Sequence, residues 1–136
     1  MAAMISSRGR YALRVMTDLA GQPPERLVPL KEIADRQGLS RKYLETIMAT
    51  LSKNGLVAGQ HGKGGGYQLS RRPEEYTLGE ILRLTEGNLA PVACLEEGAV
   101  PCAHPCPTLP VWEKLERIVG EYLDSVTLAD LLPNSF

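Results

Sequence analysis

No stretch of this sequence is apolar for the roughly 20 residues that a membrane-spanning helix needs. The N-terminus also lacks a basic region followed by an apolar core. The expectation is a soluble cytoplasmic chain with no membrane partner. Histidine is scarce: the 136 residues include two, His61 and His104. That leaves little for acid–base catalysis near neutral pH, so the chain is not expected to be an enzyme. Cysteine is scarce and odd in number, with three residues, Cys94, Cys102 and Cys106. Without an export signal they do not suggest a disulfide framework. The net charge is only −1, which by itself argues against a polyanionic partner.

The distribution of charge reverses that last argument. Residues 1–75 carry twelve of the fifteen Lys/Arg and seven of the sixteen Asp/Glu, a balance of +5, whereas residues 76–136 balance to −6. A basic half and an acidic half suggest one end that faces a polyanion and one end with another task. A hydrophobic fraction of 43% is ordinary for a chain with a packed core.

From Ser7, the residues Tyr11, Val15 and Leu19 recur every fourth position, the pattern of a helix with one broad apolar face. Gly21-Gln22-Pro23-Pro24 ends it. Leu30–Gln37 reads as a short second helix, and Gly38-Leu39 as a turn in which glycine tolerates positive φ. Ser40 is a good N-cap for a third helix. There Leu44, Ile47, Met48 and Leu51 form the buried stripe, leaving Arg41, Lys42, Glu45, Thr46 and Ala49 outward. Asn54-Gly55 stops it. Leu56–Gln60 and Gly66–Leu69 read as two short strands joined by a glycine-rich tip around Lys63. A phosphate-cradling loop is excluded, because no Gly-Lys-Ser/Thr follows and a strand comes next.

Thr77 and Glu80 spell a capping box that opens a fourth helix, ended by Gly87. Residues 88–107 are rich in Pro and Gly, contain all three cysteines and read as a long loop. A last long helix begins near Thr108–Pro110. In it Trp112, Leu115, Val119, Tyr122 and Val126 recur at steps of three and four, coiled-coil spacing that implies a partner helix. Thr127–Leu132 suggests one more capped turn.

Helix, turn, helix and two strands with a glycine tip make the plan of a winged helix-turn-helix. In such folds the second helix of the motif enters the DNA major groove with its N-terminal residues on base edges. The expected DNA-binding residues are Ser40, Arg41, Lys42, Tyr43, Glu45 and Thr46. The wing adds His61, Lys63, Gly64, Gly65 and Tyr67, and Arg8 and Arg10 add contacts ahead of the first helix. Arg and Lys can donate to guanine, while Ser, Lys and Tyr can bind phosphate. The cysteine triplet Cys94-x7-Cys102-x3-Cys106 can supply three corners of an iron–sulfur cluster, [2Fe-2S] or [4Fe-4S]. A zinc site completed by His104, or a thiol switch using two of the three, remains open.

Ser7–Ala12, Val28–Ala34, Ser40–Glu45, Lys53–Val57, Gly62–Tyr67 and Thr127–Leu131 carry a family resemblance. With them, residues 4–132 resemble the Rrf2 family of bacterial transcriptional regulators (IscR, NsrR and CymR types). The resemblance implies a mainly α fold, a winged helix-turn-helix with a long C-terminal dimerisation helix. Residues 4–75 would form the DNA-binding domain, and residues 76–132 the dimerisation helices with a sensor loop at 88–107. It also implies a homodimer on a palindromic double-stranded operator, most simply as a repressor. Family members with a cluster use three cysteines in this loop. Some add a histidine just after the last cysteine, which is absent here. Others add an acidic residue near the start of helix one, where this chain has Arg10. Other members lack a cluster and respond through a regulatory partner protein, and an isolated protein can be without its cluster. The remaining alternative is a metal- or redox-active protein that uses the winged helix as scaffold.

Overall fold

In the computed structural model, residues 4–99 and 105–133 are described. Helix α1 spans Ser7–Ala20. The Ser6 hydroxyl caps it by accepting from the Gly9 N–H at 3.3 Å, satisfying one of the free donors of a helix start. Helix α2 spans Leu30–Gln37 and ends on Gly38 at φ +65°. This left-handed conformation is where glycine escapes the Cβ clash. Helix α3 spans Arg41–Lys53 and is capped by Ser40, whose hydroxyl accepts from the Tyr43 N–H at 3.1 Å.

Strands β1 (Val57–Gln60) and β2 (Gly66–Leu69) pair antiparallel, with Val57 opposite Leu69 and Gln60 opposite Gly66. Val28 extends the pairing. It exchanges both backbone hydrogen bonds with Tyr67, at 2.8 and 2.9 Å. The segment before α2 therefore serves as a third, single-residue rung. Gly66 is required there, since a Cβ at that position would run into the Val28 backbone.

The buried stripes of the helices meet in one core. Val15, Met16, Ile33, Leu44, Ile47, Met48, Leu51 and Leu56 are essentially inaccessible. Each such side chain contributes roughly 1.5–3 kcal/mol of apolar transfer free energy. Tyr76, Leu78, Ile81 and Leu128 belong to that same core, so residues beyond 75 help to build the head. Helix α4 spans Leu78–Glu86 and packs along α1.

Two expectations at this end are corrected. Thr77 does cap α4, accepting from the Glu80 N–H at 3.1 Å. Glu80, however, does not reach back to complete a capping box: its carboxylate accepts from Arg71 at 2.8 Å. The reciprocal pattern occurs instead at Thr127 and Asp130, whose side chains each accept from the other's N–H, at 3.3 and 2.9 Å. Helix α5 spans Leu109–Ser125, so Val126 is outside it in extended conformation. Val126 packs on the core and its carbonyl accepts from the Leu78 N–H at 2.9 Å. It therefore leaves the predicted coiled-coil stripe. Arg83 and Asp124 bind α4 to α5 through two hydrogen bonds, at 2.6 and 3.1 Å. Gly79 and Gly120 leave the space in which that pair lies.

An ion-pair network ties α1 to α2. Arg36 donates to Asp18 at 2.9 and 2.8 Å and to Glu32 at 2.6 Å, and Arg26 donates to Glu32 at 2.7 Å from both terminal nitrogens. The Arg26 and Arg36 guanidiniums hold the Glu32 carboxyl down to about 2 from an ordinary 4.5. Because the folded value is depressed, the stabilisation from Glu32 is complete above the ordinary value and is lost as pH falls towards 2. Urea denaturation across that window should therefore show a falling stability in the native protein. A Glu32→Gln variant should show a shallower fall, and an equal slope in both would remove Glu32 from the acid response.

Candidate nucleic-acid interface and cysteine loop

The cap at Ser40 and the buried stripe of α3 together decide which residues face outward. Leu44, Ile47, Met48 and Leu51 are turned into the core, and Arg41, Lys42, Glu45, Thr46 and Ala49 are exposed as expected. The outward face has Arg41 and Lys42 at its start, Lys53 at its end and Glu45 as its acidic member. Tyr43 differs from these. It is half-buried, with its ring edge-on to Tyr11 at 5.7 Å and 87°. That contact sets the start of α3 against α1.

Arg8 and Arg10 are exposed on the first turn of α1. Arg10 donates to the Ser7 hydroxyl at 3.2 Å and lies 6.0 Å from the Tyr11 ring centre. A residue not anticipated from the sequence is Arg14. Its guanidinium is 5.5 Å from the Tyr11 ring and donates to the Gln37 carbonyl at 2.7 Å and side chain at 3.1 Å. It thus satisfies a free carbonyl at the end of α2 and fixes the approach to the turn. Its position on the helix face beside Tyr11 was the available signal.

At the wing tip His61 and Lys63 are exposed among glycines. Gly62 and Gly64 have φ of +94° and +80°, and the Gly65 N–H closes the turn on the Gly62 carbonyl at 3.0 Å. Gly65 has no room for a side chain, because a Cβ would strike the Gln60 carbonyl. The tip is therefore bare backbone with two basic side chains. Tyr67 lies on β2 opposite Gly59, one pair in from the tip, half-buried, with its ring where a side chain on Gly59 would go.

Helix α5 has no buried residue. Trp112 and Val119 are half-buried. Val111, Leu115, Ile118 and Tyr122 are 57, 37, 51 and 65% exposed, an apolar row at steps of four, three and four. Val111 and Ile118 were absent from the sequence stripe, because spacing alone could not separate the face that packs on α4 from the face left open.

Of the cysteines, Cys94 is exposed in a short 3-10 turn, Ala93–Leu95, and Cys106 is half-buried just ahead of α5. Both are free thiols. The Thr108 hydroxyl stands 3.1 Å from the Cys106 sulfur. With the backbone N–H groups of Thr108 and Leu109, it holds that thiol below the usual range and so favours the metal-binding thiolate. Cys102 and His104 lie outside the described residues. Among the described residues no three His, Cys, Asp or Glu side chains are gathered as a metal site. No helix among them is long and apolar enough to cross a membrane.

Comparison with known proteins bears on this arrangement. Residues 5–134 match the family described as Rrf2, iron-dependent transcriptional regulator. The chain is 35% identical over 130 residues to the HTH-type transcriptional regulator IscR of Serratia proteamaculans (strain 568), covering 96% of this chain and 79% of that one. Its fold is similar to CymR (YrzC), the global cysteine regulator of B. subtilis, with a TM-score of 0.81 at 37% identity over 96% of each chain. It is also similar to T. potens IscR, with a TM-score of 0.77 at 40% identity over 97% of this chain and 88% of that one.

Proposed function

Given that the chain belongs to the Rrf2 family and is a DNA-binding transcriptional regulator rather than an enzyme, we propose that it acts in the cytoplasm as a homodimeric repressor on a palindromic operator. The observation that carries this reading is the exposed Arg41-Lys42 turn at the capped start of α3, flanked by a wing of bare backbone. In this reading Arg41 donates to guanine O6 and N7 in the major groove. Glu45, one turn on, accepts from cytosine N4 or steers Arg41. Ser40, Lys42, Tyr43 and Thr46 hold phosphates, as do Arg8 and Arg10 on α1. His61, Lys63 and the amides around Gly64 and Gly65 approach the flanking backbone, with Tyr67 anchoring the wing.

Fluorescence anisotropy on a palindromic duplex separates these roles. Arg41→Ala should weaken specific binding by roughly 1–3 kcal/mol and relax discrimination, whereas Lys63→Ala should weaken all duplexes alike and reduce the salt slope by about one. Unchanged discrimination by Arg41→Ala would remove it from the base-reading set.

In this reading the thiols of Cys94, Cys102 and Cys106 would hold three corners of an iron–sulfur cluster, and Cys106 is already biased towards thiolate. When bound, such a cluster supplies reversible electron transfer and sensitivity to oxidant and nitric oxide. The chain's own part is positional. Leu109 opens α5 three residues after Cys106, so a constraint on the loop reaches the dimer helix directly. Protein purified without oxygen should be coloured, with a visible absorbance band that a triple Cys→Ala variant lacks. If that variant bound the operator with unchanged affinity, with and without iron and under oxidant, control would rest with a partner protein instead.

A further inference from the structure

A cavity of about 590 Å3 opens beside the wing, between the end of α1, the 22–26 loop and the segment that follows β2. No residue of α3, of the wing tip or of the cysteine loop lines it. Its volume is within the range of small-molecule sites, roughly 300–1,000 Å3, and its lining sets apolar wall beside polar and charged side chains. Leu19, Ala20, Pro23 and Leu69 supply apolar wall. The charged lining is three arginines, Arg26, Arg71 and Arg72, against one carboxylate, Glu75.

These arginines are not equivalent. Arg26 is committed to Glu32 at 2.7 Å and Arg71 to Glu80 at 2.8 Å. Arg72 is looser. Its Nε is 3.4 Å from Glu74 and 3.8 Å from Glu75, and its side chain is 78% exposed. Exposed pairs of that length hold a guanidinium weakly, so Arg72 is available to an incoming anion.

We propose that this cavity binds a small amphipathic anion, a carboxylate on an apolar body, with Leu19, Ala20 and Leu69 receiving the body and Arg72 the carboxylate. The position has a consequence for the wing. Leu69 ends β2, and the next two backbone N–H groups, of Ser70 and Arg71, are held by the Tyr76 hydroxyl at 2.9 and 3.0 Å. An occupant therefore bears on the base of the hairpin whose tip carries Lys63.

Decanoate and its neutral counterpart decanol are suitable probes in isothermal titration calorimetry with the full chain. Decanoate should bind saturably, one per protomer, and more tightly than decanol. Arg72→Ala should weaken decanoate roughly 5-fold, the scale of one charge-assisted contact at a solvated rim, and leave decanol unchanged. Ser70→Trp, at an exposed lining position, should occlude the cavity and abolish both, with an unaltered circular dichroism spectrum. No saturable binding to the native chain, equal affinity for the two probes, or unaltered decanoate binding by both variants would overturn the proposal.

Discussion

Replacing Leu115 and Ile118 together with glutamate should convert the protein to a monomer and lower its affinity for a palindromic operator by roughly 100-fold, because two linked heads gain that order of avidity over one. The basis is the row Val111, Leu115, Ile118, Tyr122. It runs along one side of a helix whose other side faces α4. Leu84 on α4 is a further exposed apolar side chain, at 36%. Exposed apolar rows at this spacing are stabilised by a facing helix. In a two-fold pair the double variant would bring four carboxylates into one apolar seam, and unpaired charge there costs several kcal/mol. Since both positions are solvent-facing within the protomer, its fold should survive. Sedimentation equilibrium and circular dichroism read the two effects separately. A variant that remained dimeric would rule out α5 as the dimer helix, and a monomer that kept native operator affinity would rule out the gain from two linked heads.

The second large effect is expected at Tyr76. Its ring is fully buried, and its hydroxyl is the meeting point of three elements. It donates to the Leu56 carbonyl at 2.6 Å and accepts from the N–H groups of Ser70 and Arg71. Arg71 also stacks its guanidinium 4.3 Å from the ring centre. Tyr76→Phe keeps the ring but removes the hydroxyl the three groups share, stranding the Arg71 N–H and leaving the Leu56 carbonyl and the Ser70 N–H only their long mutual bond at 3.4 Å. The expected loss is about 3 kcal/mol, since each stranded buried group costs roughly 1–3 kcal/mol and some reach water. Urea unfolding at fixed protein concentration measures it, and a change near zero would show that water replaces the hydroxyl in full.

Tyr76 also shows where the sequence stops being legible. Its three partners lie 5 to 20 positions away along the chain, and no periodicity encodes such a convergence. Gly38, Ser40 and the Leu44–Leu51 stripe were readable because each acts within a turn or two of its own helix. The Thr77–Glu80 box failed for the converse reason. Glu80 has the local option of reaching back, but Arg71 offers it an opposite charge from a distant element. Val126 kept the heptad step yet left the helix, drawn off by its backbone bond to Leu78. On α3 the exposed set Arg41, Lys42, Glu45 and Thr46 was legible from helical phase. The half-burial of Tyr43 and Tyr67 was not, because it depends on Tyr11 and Val28 across the fold.

Helix α4 is held at both ends. At its start, Tyr76 and Leu78 are bonded to Leu128 and Val126, at 3.1 and 2.9 Å. At its finish, one oxygen of Glu86 accepts from both the N–H and the hydroxyl of Ser6, at 3.0 and 2.7 Å. The chain that leaves α4 at Gly87 comes back to its start at Val126, as a cord is strung on a bow, and the Arg83–Asp124 pair ties α5 to α4 between them. α4 is the bow's stave, and it lies along α1. A shift of α4 would therefore bear on α1 and, through the core contact that α4 also makes with α3, directly on the helix that carries Arg41 and Lys42.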